Sequence, residues 1–86
     1  MTDELSQRIT KMVAQLTVVP AEAIKGEHRL REDLGLDSVC SMELLSMLAE
    51  ELDLDVPMEE AAQVTTVSGA VAMARRHLSA RQQVSA

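Results

Sequence analysis

Leu5, Ile9, Met12, Val13 and Leu16 recur at the spacing of one helical face and predict a first amphipathic helix. Thr2 or Asp3 stands where a side-chain oxygen accepts the unpaired N–H groups of a first turn. Val18-Val19-Pro20 ends the pattern, because the residue before proline is pushed out of the helical region. From Thr17 to Asp37 the periodicity is lost, with Pro20, Gly26 and Gly35 as breakers. A loop this long needs anchors in so short a chain, and Ile24, Leu30 and Leu34 are the candidates. Regular spacing returns from Ser38 to Leu52, with Asp37 or Ser38 as the cap and Asp53-Leu54-Asp55-Val56-Pro57 as the exit. A short helical turn over Glu59 to Val64 follows. Thr65 or Thr66 then caps a last helix through Leu78, with Val67, Val71, Ala74 and Leu78 facing inward. The pattern predicts an all-α bundle of four helices, three long and one short, with a long loop between the first two. The domain spans residues 1–78, and residues 79–86, with little to bury, form a flexible tail.

Composition narrows the picture. Eighty-six residues support one small core, and the absence of Phe, Tyr and Trp leaves it to Leu, Val, Ile, Met and Ala. Five glycines and prolines in all disfavour a sandwich or barrel of many tight turns. A net charge of −6 argues against a nucleic-acid partner. Residues 32–60 carry ten acidic groups and no basic one, whereas the rest carries eight basic and four acidic groups. Such a run is ordinarily a solvated face, but it also attracts basic patches on other proteins. The N-terminus lacks the basic and apolar blocks of a signal peptide, and no apolar run reaches membrane-spanning length. A cytoplasmic monomer is expected.

Most candidate chemistry fails on spacing. Asp53-Leu54-Asp55 begins like a calcium loop, but Pro57, Met58 and Val64 occupy positions that need an oxygen ligand, glycine and glutamate. His28 and His77 have no ligand companions at metal-binding spacing, so no metal site is expected. Gly35-Leu36-Asp37-Ser38-Val39-Cys40 does not fit the nucleophile elbow of a hydrolase. Cys40, the single cysteine, excludes an internal disulfide, and nearby carboxylates disfavour its thiolate. No catalytic residue is assigned.

Ser38 in isolation reads as a helix cap. In context, Leu34-Gly35-Leu36-Asp37-Ser38-Val39 resembles the L-G-x-D-S-[LV] signature of acyl carrier proteins, whose serine receives 4′-phosphopantetheine. Downstream, Met42-Glu43-Leu44, Glu50-Glu51-Leu52, Val56-Pro57 and Thr65-Thr66-Val67 fall, without a gap, where that family has V-E-L, E-E-F/L, I-P and T-T/V-V. The resemblance covers about Leu5 to Leu78. It implies a non-catalytic carrier: Ser38 is the attachment point, and Asp37 assists a phosphopantetheinyl transferase and its magnesium. A helix N-terminus suits a phosphodiester, since unpaired N–H groups and the positive end of the dipole lie beside it. Without the resemblance, an unmodified acidic helical adaptor for a basic partner would explain the charge and the helices equally well.

The resemblance further implies that acyl cargo lodges between helices two and three, and Leu48, Leu52, Val64, Val67 and Val71 are the candidate lining. Its partners would be ketosynthases, acyltransferases or acyl ligases with basic docking patches. On a helical wheel, Leu45, Leu48 and Leu52 face inward, whereas Val39, Glu43, Ser46, Met47 and Glu50 lie opposite. Val39, Glu43, Met47 and Glu50 are therefore the candidate partner contacts. Cys40, where fatty-acid carriers place a polar or acidic residue, and the moderate net charge tilt the reading towards polyketide or other specialised acyl biosynthesis, with housekeeping fatty-acid synthesis second. The L-G-G-x-S pattern of peptidyl carriers is absent, since Leu36 takes the second glycine position.

Overall fold

The computed structural model describes residues 4–84, and side chains up to residue 80. Four helices follow one another: α1 Glu4–Leu16, α2 Ser38–Leu52, α3 Met58–Ala61 and α4 Val67–Val84. A single turn of 3-10 helix, Ala21–Ala23, interrupts the long loop. The proposed caps Thr2 and Asp3 lie outside the described residues. The architecture is the expected one, a bundle of three long helices and one short helix.

α1 buries Ile9, Met12 and Val13 and half-buries Leu5 and Leu16, so the stripe read from spacing is its inner face. It packs against both α4 and α2. Arg8 fastens the second contact by donating to the Glu51 carbonyl at 3.2 Å. α4 contributes Val67, Ala70, Val71, Met73 and Ala74 to the same core, and Leu78 is half-buried against it. Thr66 is its cap: the Oγ1 accepts from the Gly69 N–H at 3.0 Å.

Two boundaries and one helix face differ from expectation. Helix continues through the supposed tail to Val84. Ala80, Arg81, Gln82 and Gln83 are good helix formers with no Gly or Pro among them, so propensity favours carrying the helix on. The short helix runs from Met58 to Ala61, with Pro57 at its N-cap, and ends in turns at Gln63 and Val64. On α2, Leu44 and Leu48 are buried while Leu45 and Leu52 are half-buried, so the inner face is turned towards Leu44. That rotation brings Met47, three residues from Leu44, into contact with the core.

The loop is a strap. Ile24, Leu30 and Leu34 are buried, as their role as anchors requires, and Leu36 joins them at 2% exposure. An isolated antiparallel bridge pairs Arg29 with Thr66. Leu30 N–H donates to Thr65 O at 2.8 Å, Val67 N–H to His28 O at 3.0 Å and Ser68 N–H to Gly26 O at 2.9 Å. Thr17 Oγ1 ties the loop's two ends together by donating to Leu34 O at 2.7 Å. The segment ahead of α2 is thereby fixed to the start of α4.

Candidate functional site

The chain reaches Ser38 through a reversal. Leu34 and Leu36 are both buried, and Gly35 between them has φ +72°, a left-handed conformation that glycine adopts without penalty. The turn is closed by Gly35 N–H to Arg31 O at 3.1 Å and Leu36 N–H to Leu30 O at 2.9 Å. Asp37 is then extended, and its Oδ1 accepts from the Cys40 N–H at 3.0 Å. Asp37 is the cap and Ser38 is not. The Ser38 side chain is left exposed on the first turn of α2, where Arg31 Nη2 donates to its Oγ at 3.4 Å.

The Asp37 carboxyl is held below the usual carboxylate range, chiefly by the Cys40 backbone N–H and then by the Cys40 side chain and the Val39 backbone. It is therefore ionised beside Ser38. Cys40 is half-buried, and its thiol is pushed up. Its hydrogen bond with the Asp37 backbone acts the other way, but desolvation and the carboxylates of Asp37 and Glu43 outweigh it. Cys40 is a covered thiol rather than a nucleophile.

A groove of about 490 Å³ opens at Ser38 between α2, α3 and the strap. Its walls are Leu30, Leu36, Met42, Leu45, Met58 and Val64, and Arg31 and Ser38 stand together in its lining. Of the five residues assigned to a cargo pocket, Val64 alone lines it. Leu48 is sealed in the core at 1% exposure, and Leu52 is half-buried outside the groove. Val67 and Val71 instead line a second cavity of about 880 Å³ between α1, the loop and α4, where Lys11, Lys25 and Arg75 also stand. Met42 and Leu45 could have been found from spacing, because they follow Ser38 at i+4 and i+7 and share its face. Leu30, Leu36 and Arg31 had no such signal, since the loop brings them in from outside any periodic pattern.

On the outer surface of α2, Val39 is 63% exposed, and Glu43, Ser46 and Glu50 are exposed with it. Met47 does not belong to this set, being half-buried against the core. Met42, at 52%, is the second exposed apolar side chain of the helix, and Met58, at 55%, faces it across the groove. Neither histidine is placed to serve as a base at Ser38. His28 Nδ1 accepts from the Lys25 N–H at 2.9 Å, and His77 Nε2 meets Glu60 Oε1 at 2.9 Å. Among the described residues no three His, Cys, Asp or Glu side chains are grouped to hold a metal ion. No helix among them is long and apolar enough to cross a membrane. An exposed hydroxyl on a helix's first turn, with a guanidinium at hand and an apolar groove beyond, suits esterification by a phosphoryl group bearing a long arm.

Two comparisons bear on this site. The family described as phosphopantetheine attachment site matches residues 7–74. The fold is similar to that of an acyl carrier protein from Enterococcus faecalis, with a TM-score of 0.74 at 24% identity, over 86% of this chain and 94% of that one.

Proposed function

The chain belongs to the phosphopantetheine attachment family, and from that premise we propose that it is an acyl carrier protein whose arm is borne by Ser38. The cofactor is covalently attached 4′-phosphopantetheine. When bound, it supplies a terminal thiol on which an acyl group is carried as a thioester. The observation that carries the assignment is the Ser38 hydroxyl, exposed on the first turn of α2 with Arg31 at 3.4 Å. Asp37 frees that hydroxyl by taking the capping role itself. It also keeps a charged carboxylate beside Ser38, in reach of a modifying enzyme and its magnesium. The chain performs no bond chemistry of its own, a reading supported by the engagement of His28 and His77 elsewhere.

Cargo of moderate length lies in the groove along Met42, Leu45, Met58 and Val64, a lining soft enough to adapt. Enzymes of acyl biosynthesis (ketosynthases, acyltransferases or acyl ligases with basic surfaces) dock on Val39, Met42, Glu43 and Glu50. The pathway is polyketide or other specialised acyl biosynthesis, supported by Cys40 and the moderate net charge. Incubation with a phosphopantetheinyl transferase, coenzyme A and magnesium is expected to add one arm to the wild type and none to Ser38→Ala, read by intact mass. Modification of Ser41 or Ser46, or none at all, would sink the assignment. Loading trials with malonyl and fatty acyl ligases then separate the pathways, and preference for the fatty acyl enzymes would favour housekeeping synthesis.

A further inference from the structure

Arg31 is oddly placed for a surface cation. Its neighbour Arg29 takes the adjacent carboxylates, at 3.3 Å from Glu32 and 3.7 Å from Asp33. The next acid along, Asp37, is engaged by the first turn of α2. Among the described residues, the Arg31 guanidinium is left with one side-chain partner, the neutral hydroxyl of Ser38, seven residues away. It also borders a segment, 32–60, that contains ten acidic groups and no cation. A phosphodiester placed on Ser38 therefore meets the favourable first turn of α2, but among side chains of an otherwise acidic surround this guanidinium is the cation at hand.

We propose that Arg31 is a positioning residue that pairs with the phosphate of the arm on Ser38 and so turns the arm's root into the groove between α2 and α3. The inference rests on the assignment of the arm to Ser38. Guanidinium and phosphate make paired N–H···O bonds, stronger and more directional than those to a neutral hydroxyl. Arg31 and Ser38 line the same groove, whereas the exposed Val39 and Glu43 lie outside it. An arm held at Arg31 therefore starts over Met42 and Met58 and away from the outer flank of α2. Release needs only the rupture of one exposed ion pair, which suits a cargo that must be both sheltered and handed over.

The test uses the modified protein, with the arm on Ser38 confirmed by mass, as wild type, Arg31→Gln and Arg31→Lys. Arg31 is exposed, so none of these changes threatens the core. The phosphorus NMR resonance of the wild type is expected to move as salt screens the pair, and that of Arg31→Gln to stay at its high-salt position. Arg31→Lys, which keeps the charge and loses the fork, should fall between. With a medium-length saturated acyl group loaded, the acyl-induced changes in the methyl shifts of Met42 and Met58 should be at least twofold smaller in Arg31→Gln. Identical phosphorus resonances in wild type and Arg31→Gln at low salt would overturn the role of Arg31 and leave the carrier assignment standing. Different phosphorus resonances with unchanged methionine shifts would overturn the aiming of the arm. A wild-type protein that takes no arm at Ser38 would overturn both readings.

Discussion

Asp37 combines two duties that substitution can separate. As an acceptor it caps α2, and as a charge it sits beside Ser38. Asp37→Asn retains an oxygen for the Cys40 N–H but no charge, whereas Asp37→Ala loses both. Both variants should therefore slow modification of Ser38, and the alanine should lower the urea midpoint more than the asparagine. Equal modification rates for wild type and Asp37→Asn would reduce Asp37 to a cap. Gly35 shows a different constraint. A Cβ built there meets nothing within 4 Å, so its φ of +72° is a purely backbone requirement, worth about 1–2 kcal/mol against an L-residue. From the sequence, Asp37 and Ser38 were equal candidates for the cap, because both residue types serve. The choice between them depends on the extended Asp37 backbone, which places Asp37 at the cap and Ser38 inside the first turn.

α3 has four residues and cannot persist as a helix without outside support. Glu60 supplies some, with Oε1 at 2.9 Å from His77 Nε2 and Oε2 at 3.0 Å from Arg76 Nη2, so that one wall of the groove is fastened to α4. His77, first, and Arg76 hold the Glu60 carboxyl below its ordinary range. A depressed carboxyl stabilises the fold above its unfolded pKa, and the contribution disappears as pH falls through the folded value. Glu60→Gln should accordingly have a lower urea midpoint than wild type at neutral pH. The gap should close as the pH is taken below the carboxylate range, and a gap independent of pH would refute the fastening. Cross-connections of this kind were not legible in the sequence. Glu60 and His77 lie 17 residues apart, and the strap pairs Gly26 to Leu30 with Thr65 to Ser68, beyond any local periodicity. The stripe of α1 was legible, because Ile9, Met12 and Val13 repeat at helical spacing and all three are buried. Met47 lies against the core rather than opposite it, because Leu44 and Leu48, not Leu45 and Leu52, mark the inner face of α2.

Across the whole molecule, charge is divided. Residues 32–60, which form α2, α3 and their approaches, carry only acid, whereas Lys11, Lys25 and Arg75 surround the cavity between α1 and α4. A basic enzyme approaching this field is oriented before contact. Glu43→Lys with Glu50→Lys should slow transfer to the partner enzymes a few-fold per charge at low salt, with wild type and variant converging at high salt and helical content unchanged. Rates equal to wild type at low salt would make that face ordinary solvated surface. The packing of α1 on α4 has a consequence of another kind. Ile9, Met12 and Val13 close the core against Val67, Ala70 and Ala74, so the interior is sealed only when the first helix meets the last. Closing so long a stretch carries an entropic cost that adjacent helix hairpins avoid, and it makes folding slower than helical content alone would suggest. During synthesis the first helix emerges early with its apolar face open. It can meet α2 first, and it reaches its last partner only after α4 has also left the ribosome.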